Sequence, residues 1–242
     1  VERADIRQVQ IRPMLPCPTC AATVQEQVQI RNISGQPQVV SLRGTYGKAT
    51  VAFGARTIAP HSTWTASAQI RIAHPHLWSI DDPHLYSARL TLSDGSGRTL
   101  AGYFDYSGVR SIAVGGDGRL RLNGRLLDLR GFAIHEQSLT TGAALSPQQL
   151  TKIVGWVRAL GGRVLRAHYP LNPQIEEAAD RYGILIWSEV PVYQTNPQYL
   201  SQPAWLGNAH SVLRQNILEN QNHPSAMLWS IANELRTPPD GA

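Results

Sequence analysis

Two lysines stand against twenty arginines in these 242 residues, and the basic side chains are scattered, mostly as Arg alternating with apolar residues. The net charge is +5, yet no Lys/Arg cluster with interleaved aromatics occurs. The excess therefore reads as solvated strand faces and not as a nucleic-acid surface. Charge is thin overall, at 16% of residues. No apolar run reaches the roughly 18 residues of a membrane-spanning helix, so no membrane partner is expected. Cysteine is scarce too: Cys17-Pro18-Thr19-Cys20 holds both. Zinc takes about four ligands, and there is no second pair to complete a site. A thioredoxin-like motif would end a strand and open a helix, whereas a Pro-rich loop surrounds this one. A local disulfide or two plain thiols remain, and a disulfide would point to an exported protein. Val1-Glu2-Arg3-Ala4-Asp5 is not a signal peptide. It reads as an interior cut, and the compartment, cytoplasmic or secreted, stays open.

What is present is a turn-rich globular composition, 42% hydrophobic with 20 Gly and 16 Pro. The length suits one large domain or two ordinary ones. From about residue 5 to 112 the pattern has a period of two. Trp64, Ala66, Ala68, Ile70 and Ile72 alternate with Thr65, Ser67, Gln69 and Arg71. Val24, Val28 and Ile30 repeat it before Ser34-Gly35, as do Tyr86, Ala88, Leu90 and Leu92 before Asp94-Gly95-Ser96-Gly97. Short strands with one buried face, separated by turns, predict a β-sandwich.

Near residue 113 the pattern changes. Leu120 to Leu126 reads as a hairpin turned by Asn123-Gly124. Strands are then predicted over 127–132, 164–168, 184–187 and 226–231. Ser146-Pro147-Gln148-Gln149 is a capping box that opens a helix stopped by Gly161-Gly162. Asn172-Pro173 opens a second, stopped by Gly183; a loop runs to about 203 and a third helix covers about 205–221. Alternating strands and helices predict parallel β/α units. The count, four strands in 130 residues, is half of a barrel that takes about 250. The division expected is 1–112 for a sandwich and 113–242 for the first half of a TIM barrel.

The chain ends its last predicted strand with Asn222-His223-Pro224-Ser225 leading to Trp229-Ser230-Ile231-Ala232-Asn233-Glu234. With Leu77-Trp78-Ser79, Pro83-His84-Leu85-Tyr86, Leu122-Asn123-Gly124 to Leu129-Arg130-Gly131, His135-Glu136, Arg166-Ala167-His168-Tyr169-Pro170 and Asp180-Arg181-Tyr182-Gly183-Ile184, this series resembles glycoside hydrolase family 2 over nearly the whole chain. That is the family of β-galactosidases, β-glucuronidases and β-mannosidases. The resemblance implies an immunoglobulin-like domain followed by part of a catalytic TIM barrel. It also implies a retaining exo-β-glycosidase acting on a carbohydrate substrate, with no cofactor. Three departures stand out. Ala133-Ile134 replaces the Asn-Arg or Asn-Lys that usually precedes the first-strand His. Arg166 and His168 are one residue closer than in many members. Val190-Pro191-Val192-Tyr193-Gln194 follows Glu189 where magnesium-binding β-galactosidases carry Glu-Thr-His, so no catalytic metal is expected.

By the same resemblance Glu234 is the general acid/base, protonating the departing oxygen and then deprotonating water; its bland alternative is a surface Glu in a strand-end loop. Asn233 is expected at the sugar 2-hydroxyl, against a plain turn residue. Arg166 matches an Arg that lies near the nucleophile, and an Arg inside a strand needs anionic partners. His168 and His135 are expected at sugar hydroxyls. Glu189 is either a substrate contact or the ion-pair partner of Arg166. Trp229 reads as core. The nucleophile should be a Glu about 5 Å from the acid, and no residue here is assigned to it. The expectation is thus a fragment inactive by itself, whose open strand edges favour pairing between copies or poor solubility. The alternative is a non-catalytic carbohydrate-binding or assembly module. Sandwich spacing alone would leave the Asn-Glu run unexplained. Which sugar is cleaved is not readable.

Overall fold

The structure, a computed structural model, describes residues 3–235. It contains two compact units, Val1–Trp78 with His84–Leu126, and Ser79–Pro83 with Leu127–Ala242.

The first unit opens with seven long strands: β1 (Ala4–Met14), β2 (Ala22–Asn32), β3 (Gln38–Tyr46), β4 (Ala49–Ile58), β5 (Thr63–Ile72), β6 (Tyr86–Asp94) and β7 (Thr99–Ser107). They form two antiparallel sheets, ordered β1-β2-β5 and β4-β3-β6-β7, an immunoglobulin-like sandwich. The period-two pattern sets the faces. In β5, Trp64, Ala66 and Ile70 are buried while Thr65, Ser67 and Arg71 are exposed. Val28 and Ile30 of β2, Val40 and Leu42 of β3, and Leu90 and Leu92 of β6 meet in one core. Each such side chain contributes about 1.5–3 kcal/mol on burial. One acid shares that core. Glu26 lies on the inward face of β2 between Val24 and Val28, 1% exposed, and neither oxygen has a hydrogen-bond partner among the described residues. Burial pushes its carboxyl up to about 7. Cys17 and Cys20 form a disulfide in the β1–β2 loop. Three short strands, β8 (Ile112–Val114), β9 (Leu120–Leu122) and β10 (Arg125–Leu126), complete the unit. Asn123 and Gly124 turn β9 into β10 with φ of 51° and 77°, the pair of positive values a type I′ turn requires.

The second unit alternates: β11 (Gly131–Ala133), α1 (Pro147–Ala159), β12 (Val164–Arg166), α2 (Pro173–Tyr182), β13 (Leu185–Glu189), α3 (Pro197–Leu200), α4 (Pro203–Asn220) and β14 (Ala226–Ser230). The sheet is parallel and its order, β11-β12-β13-β14, follows the chain without reversal. A doubly wound sheet would switch direction; sequential order is that of a TIM barrel, of which these are four successive strands. Ser146 caps α1 through the expected box with Gln149. Asn172 caps α2, and Gly183 ends it at φ 68°. A Cβ on Gly183 would lie 2.1 Å from the Ile80 carbonyl oxygen, so only glycine fits there. Leu150 and Val154 of α1, Leu165 of β12, Ile175 of α2 and Ile186 of β13 form this unit's core.

Three details differ from the sequence expectation. The strand predicted over 127–132 is formed only at Gly131–Ala133; the Asp128 and Arg130 side chains pair with each other at the exposed surface, and before Gly131 only the Arg130 carbonyl reaches the next strand, accepting from Arg163 and Val164 N–H. The predicted loop before 203 contains α3, capped by Asn196 with Pro197 in the first turn. Ile231 falls outside β14 and is 68% exposed, so the buried run ends earlier than its hydrophobicity suggests.

Candidate functional site

All six candidate residues sit where the parallel strands end. His135 and His168 follow β11 and β12 by two residues, Arg166 and Glu189 close β12 and β13, and Asn233 and Glu234 lie three and four residues beyond β14. In barrels of this kind that C-terminal face carries the chemistry.

Glu189 is the hub. Its side chain is fully buried, at 0% exposure. Arg166 Nη2 donates to its Oε2 at 2.8 Å and Ser230 Oγ to the same oxygen at 2.7 Å. Oε1 is 3.1 Å from His168 Nδ1. Burial works to raise the carboxyl's pKa, but the donors from Arg166, Ser230 and His168 outweigh it and hold it below the usual range. Parallel pairing explains the closeness, since Glu189 and Ser230 are register partners on neighbouring strands. Arg166 Nη2 also donates to Asn233 Oδ1 at 2.6 Å, and its guanidinium carbon lies 5.0 Å from the centre of the Trp187 ring. Its Nε is buried with no hydrogen-bond partner among the described residues. One guanidinium thus ties the ends of β12, β13 and the segment after β14.

Glu234 stands one residue beyond this network and is exposed. The segment after β14 pairs with the loop after β13: Asn233 N–H donates to Val192 O at 2.9 Å, and Gln194 N–H to Asn233 O at 3.0 Å. Gln194 and Glu234, each next to that bridge between Tyr193 and Asn233, both have left-handed backbones, at φ 50° and 46°. Non-glycine residues in this region cost about 1–3 kcal/mol each and cluster at functional sites. Gln194 Nε2 donates to Glu234 Oε2 at 3.0 Å. His135 is exposed, and its ring centre is 5.9 Å from that of His168 in an edge-on arrangement. Trp229, expected in the core, is half-buried.

Behind the site, Asp180 on α2 anchors the approach to β14. It is 2.6 Å from His223 Nδ1 and accepts from Ser225 N–H at 2.9 Å, which gives His223 and Ser225 of that run a structural role. Among the described residues no group of three or more His, Cys, Asp or Glu side chains could hold a metal ion, and no helix is long and apolar enough to cross a membrane.

Sequence reasoning did not single out Ser230 or Gln194. Ser230 could have been found from register, because two parallel strands ending together put Glu189 level with it. Gln194 carries no local signal; its contact depends on how two loops meet.

Two family models match the chain. The model of glycosyl hydrolases family 2 matches residues 4–110, and that of the family's TIM barrel domain matches 112–240, more than half of the chain. A Formosa agariphila protein named for β-glucuronidase activity is 34% identical over 178 residues, covering 73% of this chain and 21% of its own length. The β-galactosidase of Vibrio vulnificus (strain CMCP6) is 28% identical over 187 residues, 74% of this chain and 18% of that protein. Among solved structures, a Bacteroides uniformis β-glucuronidase superposes with a TM-score of 0.88 at 23% identity, over 96% of this chain and 29% of that one. The chain thus spans about a fifth of the length of the curated relatives it matches. The fold, the strand-end network and the two family matches agree, and the chain belongs to glycosyl hydrolases family 2.

Proposed function

We propose that the natural protein is a retaining exo-β-glycosidase, with residues 1–112 as its sandwich module and 113–242 as the first half of its catalytic barrel. The names of its relatives, β-glucuronidase and β-galactosidase, support hydrolysis of a β-glycosidic bond in a carbohydrate. The observation that carries the reading is the Arg166 guanidinium bonded to both Glu189 and Asn233, immediately before Glu234.

In this reading Glu234 gives its proton to the glycosidic oxygen as the carbon–oxygen bond breaks. The leaving alcohol departs neutral, and the sugar is held by a second carboxylate as a covalent intermediate. Glu234, now a carboxylate, takes a proton from water as that water attacks the same carbon and releases the second carboxylate. Asn233 binds the sugar 2-hydroxyl. Glu189 is not the attacking group, since it is buried with both oxygens engaged. It holds Arg166 and His168, through which it shapes the sugar contacts of His168 and His135. The unpartnered Nε of Arg166 leaves the guanidinium a donor for the second carboxylate. No described residue is assigned that role, so the 242-residue chain by itself is not a hydrolase.

The test is Glu234→Gln in the natural protein, assayed on nitrophenyl β-glucuronide, β-galactoside and β-mannoside. Loss of turnover on whichever the native protein cleaves supports the reading, and retained turnover contradicts it.

A further inference from the structure

The loop after β13 runs alongside the segment after β14, and the two stay paired beyond the sheet. Val190 N–H donates to Ser230 O at 3.4 Å, Asn233 N–H to Val192 O at 2.9 Å, and Gln194 N–H to Asn233 O at 3.0 Å. Val190 and Val192 are buried and anchor the loop. Tyr193 and Asn233 form a parallel bridge. Gln194 and Glu234 each stand one residue past it, so they lie level with each other.

Their backbones are unusual. Among the described residues four non-glycine positions have positive φ: His61, Asn123, Gln194 and Glu234. The last two touch, through Gln194 Nε2 and Glu234 Oε2 at 3.0 Å. Such a conformation is strained, and it persists only where the surroundings over-determine it. Here the backbone bonds on both sides of the bridge do so, and their result is to bring one amide to one carboxyl.

The chemistry of that contact suits a group that both gives and takes a proton. An amide N–H can donate to a carboxylate oxygen, and equally to the carbonyl oxygen of the protonated acid. The contact therefore survives both states of Glu234 and adds no charge of its own. It also tells the two oxygens apart. Oε2 is held by Gln194, while Oε1 has no hydrogen-bond partner among the described residues. A proton passing to or from Glu234 then travels through Oε1, whose direction is set by the bond to Oε2. The contrast with Glu189 is plain: there Arg166, Ser230 and His168 engage both oxygens.

We propose that Gln194 is a positioning residue for the acid/base. It holds Oε2 so that Oε1 faces the glycosidic oxygen and later the attacking water. This rests on the reading of Glu234 given above and adds to it the group through which Glu234 is aimed.

The experiment is kcat/KM in the natural protein on dinitrophenyl, nitrophenyl and methyl β-glycosides of whichever sugar it cleaves. Gln194→Met keeps the length of the side chain and removes its donor. Gln194→Gly removes the donor and relieves the left-handed backbone, so one variant remains if the other fails to fold. Either should lose about tenfold to a hundredfold on the methyl glycoside, the worth of a hydrogen bond to a charged group. On the dinitrophenyl glycoside, whose leaving group needs little proton donation, the loss should stay below about twofold. In a Glu234→Gln background the same changes should cost less than about twofold throughout, because the group they act through is gone. Equal losses across the series, or losses that persist in that background, would overturn the assignment and place the action of Gln194 on the fold or the sugar. No loss in either variant, beside a graded loss in Glu234→Gln, would overturn it and leave the glycosidase reading standing. A level profile for Glu234→Gln itself would overturn both.

Discussion

The 2.6 Å contact between Arg166 Nη2 and Asn233 Oδ1 fixes which way round the Asn233 amide sits. A guanidinium has donors and no acceptor, so the amide must turn its oxygen to Arg166 and its NH₂ away. In the proposed reading Asn233 therefore meets the sugar as a donor. In the natural protein, Asn233→Ala is expected to lower kcat/KM about tenfold to a hundredfold on glycosides with a 2-hydroxyl. On the matching 2-deoxy glycosides it should change little. Equal losses on both would show that Asn233 acts otherwise than through that hydroxyl.

The ion pair beneath it is a structural dependence. Glu189 is fully buried and Arg166 partly so. Removing one partner leaves a buried charge uncompensated, so Arg166→Ala should cost about 2–4 kcal/mol of unfolding free energy, at the low end because Arg166 still meets solvent. Adding Glu189→Gln should recover part of that loss, because the amide carries no charge to strand. Urea unfolding of the two single variants and the double variant checks this. Additive losses would mean that the pair is not coupled.

Glu26 makes the stability of the sandwich fall with rising pH. Its carboxyl is raised from an ordinary 4.5 to about 7 by burial. The folded protein thus keeps a proton that the unfolded chain releases. The contribution is fully present below about 4.5 and is lost as pH rises through about 7. Relative to Glu26→Gln, the native protein should lose on the order of 2–3 kcal/mol between pH 4.5 and pH 8. Thermal unfolding of both proteins at each pH measures it, and parallel curves would contradict it. Glu189 works in the opposite sense. Its depressed carboxyl stabilises the fold above its ordinary range, and that contribution is lost as pH falls through the lowered value.

Two glycines should respond oppositely to alanine. Gly183 has φ 68° and the Ile80 carbonyl in the path of a Cβ, so Gly183→Ala should destabilise by about 2–4 kcal/mol. Gly155 lies within α1 with open space where a Cβ would go, so Gly155→Ala should stabilise by about 0.5–1 kcal/mol. Chemical denaturation of the two variants decides, and a reversed order would mean that the local packing is misread.

Much of this architecture could be read from residues alone, where one local rule governs. The alternation of Trp64 to Ile72, the Asn123-Gly124 turn, the Ser146 capping box and the Gly183 stop each act over a few neighbouring positions. The sequence also led to Arg166, Glu189 and Asn233 and offered an Arg166–Glu189 ion pair as one reading of Glu189, but not the second bond of the same guanidinium to Asn233, which spans 67 positions. Gln194 on Glu234, Ser230 on Glu189 and the buried Glu26 were missed for related reasons. The first two depend on which strands or loops become neighbours. Glu26 stands in phase with Val24 and Val28, so the same alternation turns it inward, although between Gln25 and Gln27 it looks like any exposed polar residue.

The most direct test of Glu234 as general acid/base is a leaving-group series in the natural protein. Hydrolysis by the native protein and by Glu234→Gln would be compared on β-glycosides whose aglycones run from dinitrophenol through nitrophenol to a simple alkyl alcohol. A group that donates a proton matters most where the departing oxygen is most basic. The account predicts a small loss on the dinitrophenyl glycoside and a loss growing to about a thousandfold or more on the alkyl one. A loss of equal size across the series, or none, would contradict it.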